Sequence, residues 1–210
     1  MTSLPHIAYF LGANSPAGFY SLYSELIQPE QAQAVYILKG GPGCGKSTLM
    51  RRVGARMEQA GLETEYILCS GDHDSLDALL LPQLQAAIVD GTAPHVVEPK
   101  YPGAVECYVN LGDCYDKAAL ARIKPEIISC MTGYKGCYTR AYRCLNAAAQ
   151  IGEDMRALLS TPALEAKAAK RVKGILAREV KKSGSEPGKA VQRFLGAITW
   201  KGPLCLFDTA

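Results

Sequence analysis

The feature that constrains the fold most is a glycine-rich stretch that joins a short apolar run to a helical pattern. It reads "AVYILKGGPGCGKSTLMRRVGARMEQAG" over residues 34–61, and the spacing G-x-x-x-x-G-K-S/T is met by Gly40, Gly45, Lys46 and Ser47. Glycines let the backbone turn tightly enough for its amides to point at phosphate oxygens, and a helix N-terminus adds positive charge. The stretch therefore predicts a strand, a phosphate-binding loop and a helix that begins near Lys46.

This loop predicts binding of ATP together with Mg²⁺. Lys46 is expected to bridge the β- and γ-phosphates, and Ser47 is expected to ligate the metal. The residues predicted to contact the nucleotide are Gly41, Gly43, Cys44, Gly45, Lys46, Ser47 and Thr48. Two interpretations of Cys44 stay open, because its position beside Lys46 and a helix N-terminus favours a reactive thiolate, whereas an inert small residue would also fit.

A phosphate-binding loop of this kind also needs a carboxylate on the metal side, at the end of a neighbouring strand. The segment "AAIVDG" (86–91) is an apolar run that ends at Asp90, whereas "CYVNLGD" (107–113) is interrupted by polar residues and glycine. The first segment fits a buried parallel strand better, so we predict Asp90 as the second metal ligand and as a catalytic residue. Gly91 stands where ATPases of the AAA+ and RecA-like kinds usually carry Glu, which leaves the water-activating group open and predicts slow hydrolysis.

Two loops at the predicted carboxyl edge of the sheet carry further candidates. The first, "GDHDSLD" (71–77), follows a predicted strand over 64–69 and contains Asp72, His73, Asp74 and Asp77. Ligands of open α/β sheets bind outside the carboxyl ends of strands, so these side chains are candidates to face a phosphate, a metal or a second substrate. The simpler alternative is that Asp74 or Ser75 caps a following helix. In the proline-rich loop 90–104, His95 is a further catalytic candidate, against an ordinary structural role.

Residues 114–182 are predicted to form a helical arm. Apolar residues recur there at alternating steps of four and three from Ile123 to Leu158, which predicts an a/d seam on one long helix. The seam includes Cys130, Cys137 and Cys144. We expect these cysteines to pack in the core as small apolar residues, rather than to bind metal or form disulfides. Gly133 and Gly136 lower the helix propensity and mark where the helix would break.

A second helix of the arm is predicted to begin at "STPALEAK", with Thr161 as its N-cap and Pro162 at its first position. We expect the two helices to pack as an antiparallel hairpin. Arg140 and Arg143, three residues apart on the first helix, are candidates to reach a γ-phosphate as a lid would. Exposed arginines on a helix surface are the commoner arrangement.

The chain repeats itself near its end. "FLGANSPAGFYSLYSEL" begins at Phe10 and "FLGAITWKGPLCLFDTA" begins at Phe194, with six identities in seventeen positions at a constant offset of 184 (194 − 10). We interpret residues 190–210 as a returning strand and the start of a second repeat. The strand over 191–199 is expected either to complete the first sheet or to begin a second sheet that pairs elsewhere. This predicts a fragment, or a shortened member, of a two-domain protein.

Composition excludes several other classes of protein. The formal net charge of +3 gives no strong electrostatic case for nucleic-acid binding. The N-terminus shows no pattern of an export signal, and no apolar run is long enough to cross a membrane. We therefore expect a cytoplasmic protein that has no membrane partner.

Several stretches together resemble a known group of proteins. "FLGANSPAGFYS", "YILKGGPGCGKSTLM", "CSGDHDSLD", "IVDGTAPHVVEPKYPGAVE" and "RAYRCLNAAA" occur in this order across almost the whole chain. They are similar to an uncharacterised bacterial family of tandem P-loop ATPases or nucleotide-kinase-like proteins. The resemblance implies ATP binding through Lys46 and Ser47, functional weight on Asp90 and His95, and a second P-loop domain or a homodimer partner. It implies no particular substrate.

These observations predict an α/β P-loop NTPase fold, with a mostly parallel sheet flanked by helices and a helical-hairpin arm. The core is assigned to residues 5–113, the arm to 114–182 and the repeat to 190–210. The leading functional prediction is an ATP-binding domain with weak or partner-stimulated, Mg²⁺-dependent hydrolysis. A phosphotransferase whose acceptor binds at the 71–77 loop is the second candidate. A nucleotide-gated binding module with negligible turnover is the third.

Overall fold

A computed structural model describes residues 7–94, 96–180 and 190–206, and it has an α/β architecture. The strands are β1 (Ile7–Tyr9), β2 (Gly12–Ser15), β3 (Gly18–Ser21), β4 (Ala34–Lys39), β5 (Glu65–Leu68), β6 (Leu76–Leu81), β7 (Ala86–Asp90), β8 (Glu106–Asn110), β9 (Gly196–Thr199) and β10 (Gly202–Cys205). The helices are α1 (Lys46–Gln59), α2 (Lys117–Arg122), α3 (Lys124–Leu159) and α4 (Pro162–Glu179).

Six strands form the central sheet, in the order β1-β5-β6-β7-β4-β8. Three of its five pairings are parallel, namely β1 with β5, β4 with β7 and β4 with β8. The two pairings of β6, with β5 and with β7, are antiparallel. The prediction of a mostly parallel α/β sheet is therefore confirmed at this level, and the antiparallel strand β6 makes the sheet a mixed one.

Strand β6 corrects one expectation from the sequence. A helix was expected after Ser75, but Leu76–Leu81 forms a strand. Five of its six residues are buried, so the apolar run is covered on both faces of the sheet. Apart from Asp77 the segment is apolar, and an apolar run as short as 78–81 fits a fully buried strand as well as a helical segment, so only its neighbours in the sheet decide between them.

The two neighbours of β4 in the sheet, β7 and β8, correspond to the two segments that were considered from the sequence as strands. The predicted buried strand 86–90 is β7, whose last four residues are buried. The segment 107–113, which fitted a buried strand less well, nevertheless contributes the parallel edge strand β8. Asn110 ends that strand, and its side chain accepts a hydrogen bond from the backbone N–H of Gly112 at 3.0 Å. The polar interruption therefore ends an edge strand rather than excluding one.

The core lies on both faces of the sheet. Adjacent residues of a strand point to opposite faces, and Ile37 and Leu38 accordingly belong to different clusters of buried side chains. The Leu38 cluster includes Met50 of α1, which is fully buried. The Ile37 cluster includes Tyr23, from the segment that precedes β4. The sheet is therefore covered by α1 on one face and by the N-terminal segment on the other.

The two helices predicted for the arm are present, but their side chains are not buried as predicted. Helix α3 is continuous over 36 residues, about 54 Å, so Gly133 and Gly136 do not break it. Thr161 caps α4 as expected, and its side chain accepts from the N–H of Leu164 at 3.3 Å. Neither helix contains a buried residue, so the expected burial of the seam in a packed hairpin is wrong.

The cysteines of the seam are exposed as a consequence. These are Cys130, Cys137 and Cys144. Their predicted packing in a core is therefore wrong, although they do share one face of α3. All eight cysteines of the chain are free thiols. Among the described residues, no helix combines the length and the apolar character that a membrane span requires.

The two copies of the repeat form two separate β-hairpins, β2–β3 and β9–β10. Every strand boundary of the second hairpin lies 184 residues after its counterpart in the first, and the pairing register is the same. Phe10 and Phe194 exchange two backbone hydrogen bonds of 2.9 Å, which join the hairpins. The alternative in which 192–198 pairs in the same sheet as 34–39 is therefore wrong. The segment starts a sheet of its own.

Candidate functional site

The glycine-rich loop lies at the carboxyl end of β4, where the chain turns into α1. Gly43 and Gly45 have φ angles of +77° and +92°. In this left-handed region a side chain is strained, so the loop requires glycine at both positions. Helix α1 begins at Lys46 directly after Gly45, so its N-terminal amides lie at the loop. The predicted order of strand, loop and helix is confirmed.

Lys46 is nearly buried beneath this loop. Its Nζ donates to the carbonyl of Gly40 at 2.6 Å and to that of Gly41 at 3.1 Å. The same Nζ lies 3.5 Å from Asp90 Oδ2, and both side chains are only about one-tenth exposed. Such a charge is strongly attracted to an anion that enters the loop, because little water screens it.

Asp90 is the last residue of β7 and lies next to Leu38 of β4 in the parallel register. Its Oδ1 accepts hydrogen bonds from Thr92, at 2.9 Å from the backbone N–H and at 2.5 Å from the hydroxyl. Its Oδ2 faces Lys46. The carboxylate is thus held in one orientation, with one oxygen oriented by Thr92 and the other directed toward the phosphate-binding loop.

Ser47 and Asp90 are the predicted metal ligands, and both supply the hard oxygen donors that Mg²⁺ prefers. Ser47 Oγ accepts from the backbone N–H of Leu76 at 2.9 Å, so the hydroxyl is positioned by the start of β6. Mg²⁺ binds through one or two protein oxygens and completes its shell with water and phosphate. The side chains present therefore fit this ion. The described residues contain no larger cluster of metal-binding side chains.

The remaining loop residues that were predicted to contact the nucleotide are mostly exposed to solvent. Gly41, Gly43, Gly45 and Thr48 are exposed. Cys44 is half-buried, with its Sγ 3.8 Å from Lys46 Nζ. The backbone around the loop is therefore accessible to a ligand, and the Cys44 thiol is next to a positive charge.

The position after Asp90 has no room for a side chain. A Cβ on Gly91 would lie 2.3 Å from Ile37 Cγ2 and 3.2 Å from Lys39 Cε. Lys39 Nζ also donates to the carbonyl of Gly91 at 2.7 Å. Close packing against β4 therefore disfavours any side chain at this position, Glu included.

The loop 71–77 lies between α1 and the β9–β10 hairpin, and its acidic side chains bind protein groups. Asp72 Oδ1 accepts from Trp200 Nε1 at 3.2 Å, and Asp74 Oδ2 accepts from Lys201 Nζ at 2.7 Å. The hydrogen bond from Lys201 lowers the pKa of Asp74. Asp77 is buried and accepts from the hydroxyl of Tyr23 at 2.9 Å. These contacts make a structural role for the three aspartates the better interpretation.

The other candidates from the sequence do not join this cluster among the described residues. His73 Nε2 lies 3.5 Å from Asp74 Oδ1, and its Nδ1 is buried without a hydrogen-bond partner. Arg140 and Arg143 are exposed on α3, and Arg140 donates to Cys137 within the same helix at 3.5 Å. His95 lies outside the described residues.

Two further groups at the site were not found from the sequence. The hydroxyl of Tyr115 accepts from the backbone N–H of Gly41 at 2.6 Å, so this tyrosine covers the start of the loop. Thr92 orients Asp90, as described above. Tyr115 is 74 residues from Gly41 and belongs to no spacing pattern. Thr92 lies two residues after a strand-ending aspartate, which is a signal for a side-chain-to-backbone turn.

Comparison with known proteins does not extend this description. No family model matches the sequence, and no curated protein and no solved structure matches it significantly. The family resemblance drawn from the sequence motifs therefore stays a prediction.

Proposed function

We propose that this chain is a nucleotide-binding domain of the P-loop type, which binds ATP with Mg²⁺ and hydrolyses it slowly or on stimulation by a partner. One observation carries the proposal. Lys46 Nζ and Asp90 Oδ2 lie 3.5 Å apart at the carboxyl ends of adjacent parallel strands, beneath a loop with two left-handed glycines. This arrangement supplies a cation for the phosphates, amides for their oxygens and a carboxylate on the metal side.

Each of these residues has a defined task in the proposed complex. Lys46 would exchange its bonds to the loop carbonyls for bonds to phosphate oxygens, which are stronger because both partners are charged. Ser47 and Asp90 would hold Mg²⁺, which supplies positive charge that draws electron density from the phosphates. Thr92 keeps the carboxylate of Asp90 in place, so that little reorganisation is needed on binding.

Slow hydrolysis follows from the residue after Asp90. A catalytic base must lie within hydrogen-bonding reach of the attacking water. Gly91 offers no side chain, and a Cβ at this position would overlap Ile37, so a larger residue would require rearrangement. We therefore expect turnover to be low unless another group supplies the base.

The other two candidate functions differ in what the 71–77 loop does. In a phosphotransferase, the loop would receive the acceptor, but Asp72, Asp74 and Asp77 already accept hydrogen bonds from protein groups. In a nucleotide-gated binding module, the loop would carry the effect of the nucleotide elsewhere. The contacts that this loop makes with α1 and with the β9–β10 hairpin favour the binding module as the second candidate.

Isothermal titration calorimetry with ATP, with and without Mg²⁺, tests the proposal. Lys46→Ala should weaken ATP binding by about 10- to 100-fold, the loss of one charge-assisted contact. Asp90→Asn should retain most of the affinity and lose its dependence on Mg²⁺. Lys173→Ala and Asp154→Asn remove the same charges from exposed positions of the arm and serve as matched controls.

Thermal unfolding of each variant confirms that it is folded, because removal of Lys46 leaves the nearly buried Asp90 without its cation. ADP release measures turnover in the same samples. Unchanged Mg²⁺-ATP affinity and turnover in both site variants would contradict the proposed function. Turnover that rises only when a nucleoside, nucleotide or sugar is added would favour the phosphotransferase.

A further inference from the structure

The loop 71–76 is attached to helix α1 of the candidate nucleotide site by two hydrogen bonds. Its last backbone N–H, that of Leu76, donates to Ser47 Oγ at 2.9 Å. Arg51, one turn further along α1, donates from Nη2 to the carbonyl of Asp74 at 2.6 Å. The predicted metal ligand Ser47 is thus also one of the groups that fix the position of this loop.

The opposite side of the same loop holds the turn of the β9–β10 hairpin. The backbone N–H of Trp200 donates to the carbonyl of Gly71 at 3.2 Å, and its indole Nε1 donates to Asp72 at 3.2 Å. Lys201 Nζ binds the carboxylate of Asp74 at 2.7 Å. Asp74 therefore contacts both sides, with its carbonyl toward α1 and its carboxylate toward the hairpin.

These contacts depend on residues in which the two copies of the repeat differ. The hairpins have the same register, but the turn of the first contains Pro16 and Ala17 where the second contains Trp200 and Lys201. Neither Pro16 nor Ala17 has a side chain able to donate a hydrogen bond. The side-chain contacts with the 71–76 loop therefore depend on the turn residues of the second hairpin, and the backbone structure that the two hairpins share does not provide them.

The Trp200 side chain also has space to change its position. It is 69% exposed and lines a cavity of about 390 Å³ between the hairpin and α3. Tyr138 and Tyr142 of α3 line the same cavity. A ring bordered by open space can move without displacing packed neighbours, unlike one in a close-packed core.

We propose that the β9–β10 hairpin is a nucleotide-responsive element, whose docking on the 71–76 loop is weakened when Mg²⁺-nucleotide binds at Ser47. The inference rests on the proposed function. Ligation of a cation would draw electron density from the Ser47 oxygen, which weakens it as an acceptor for the N–H of Leu76, and it would reorient the hydroxyl. The loop loses part of its attachment to α1, and the contacts of Trp200 and Lys201 change with it.

Thermodynamic linkage makes this coupling reciprocal. If binding at Ser47 weakens hairpin docking, then the docked hairpin opposes binding by the same factor. Lys201→Met removes the ammonium that binds Asp74 but keeps an unbranched chain. This variant should therefore bind Mg²⁺-ATP more tightly, by about 5-fold or more if the coupling is of the usual size.

Trp200 is the single tryptophan of the chain, so its fluorescence reports on the hairpin alone. The experiment records its emission and, separately, the heat of binding for ATP with Mg²⁺ and for ATP with a chelator. We expect a red shift with Mg²⁺-ATP, a much smaller shift with chelator, and a smaller shift in Lys201→Met, where Trp200 is already released. Lys173→Met on α4 is the matched control and should behave as the unmodified chain.

The outcomes separate this inference from the proposed function. Absence of binding heat would overturn both. Binding heat without any change in Trp200 emission would overturn the coupling and leave the nucleotide site intact. Tightening of Mg²⁺-ATP binding in Lys201→Met, together with a smaller emission shift, would support it. An unchanged affinity in that variant would overturn it.

Discussion

The replacement of Gly91 by alanine tests the packing that surrounds the candidate site. A Cβ at this position would lie 2.3 Å from Ile37 Cγ2, far closer than an ordinary contact, and 3.2 Å from the Cε and Nζ atoms of Lys39. The end of the flexible Lys39 side chain can move. Ile37 cannot, because it is β-branched and fully buried in the middle of β4. The added methyl group must therefore displace backbone at the junction of β4 and β7.

Overpacking of this kind costs about 1–3 kcal/mol, and the short contact with a rigid neighbour places Gly91→Ala near the upper half of that range. For a chain of this size, about 2 kcal/mol lowers the thermal midpoint by roughly 4–8 °C. Thermal unfolding measures this shift directly. In urea unfolding followed by circular dichroism, we expect a lower urea midpoint and an unchanged dependence of the unfolding free energy on urea concentration. Gly133→Ala is the matched control, since no atom beyond its chain neighbours and its own helix backbone lies within 4 Å of its Cβ position, and alanine favours the helix there.

The two glycine variants should therefore have opposite effects. Gly133→Ala should leave the unfolding midpoint unchanged or raise it, whereas Gly91→Ala should lower it. Gly91→Ala should also weaken Mg²⁺-dependent binding of ATP, because the displaced backbone carries Asp90. A Gly91→Ala protein as stable as the unmodified chain would refute the argument that close packing excludes a side chain after Asp90.

Two further predictions follow from ionisable groups. Burial raises the pKa of Tyr9, of Tyr23 and of the Cys69 thiol, the last to about 12. Above about pH 9–10, the unfolded chain therefore loses protons from these groups that the folded chain keeps. Stability to urea should therefore fall by up to about 1.4 kcal/mol per pH unit for each group, and a constant midpoint between about pH 8 and 11 would contradict this. At neutral pH, iodoacetamide should label Cys44 less when Mg²⁺-ATP is present and should leave Cys69 unlabelled; mass spectrometry showing equal Cys44 labelling would exclude protection.

The sequence predicted those parts of the fold that depend on local pattern. The order of β4, loop and α1 follows from the glycine spacing and the helical periodicity between residues 34 and 61. The proximity of Lys46 to Asp90 follows from topology, since parallel neighbouring strands end at the same edge of a sheet. Strand β6 was missed because the short apolar run 78–81 carries no period that distinguishes a strand from a helix.

Burial of the arm could not be predicted for a different reason. The steps of four and three between Ile123 and Leu158 identify side chains that share one face of a helix. They do not identify what covers that face. Ile151 is 64% exposed and Leu158 is 81% exposed, so no described residue covers this end of the seam. Periodicity therefore predicted the helix correctly and its environment wrongly.

Apart from Thr92, which is two residues from Asp90, the contacts that were missed join residues distant in sequence. Tyr115 contacts Gly41, and Trp200 contacts Asp72, across separations of 74 and 128 residues. Hydrogen bonds of this kind depend on the positions of whole elements, and a single sequence carries no spacing rule for them. Substitution by phenylalanine at position 115 would keep the ring and remove only the bond to the loop, worth about 1 kcal/mol.

The repeat is a long-range feature that the sequence does encode, and its geometry explains why it was visible. Phe10 bonds to Phe194, its own counterpart, and Asn14 Nδ2 donates at 2.9 Å to the carbonyl of its counterpart Ile198. Only positions near a two-fold axis contact their own equivalents, so the hairpins are related by a local two-fold axis within one chain.

Such an axis requires the two hairpins to have the same backbone conformation. Gly18 and Gly202 accordingly have φ angles of +106° and +104°. The identities at the offset of 184 residues include these glycines and the phenylalanines near the axis. The turn residues lie away from it and are free to differ. Trp200 and Lys201 occur in this turn. The local two-fold symmetry therefore accounts for the resemblance between the hairpins. It leaves the turn of the second hairpin available to contact the loop beside the candidate nucleotide site.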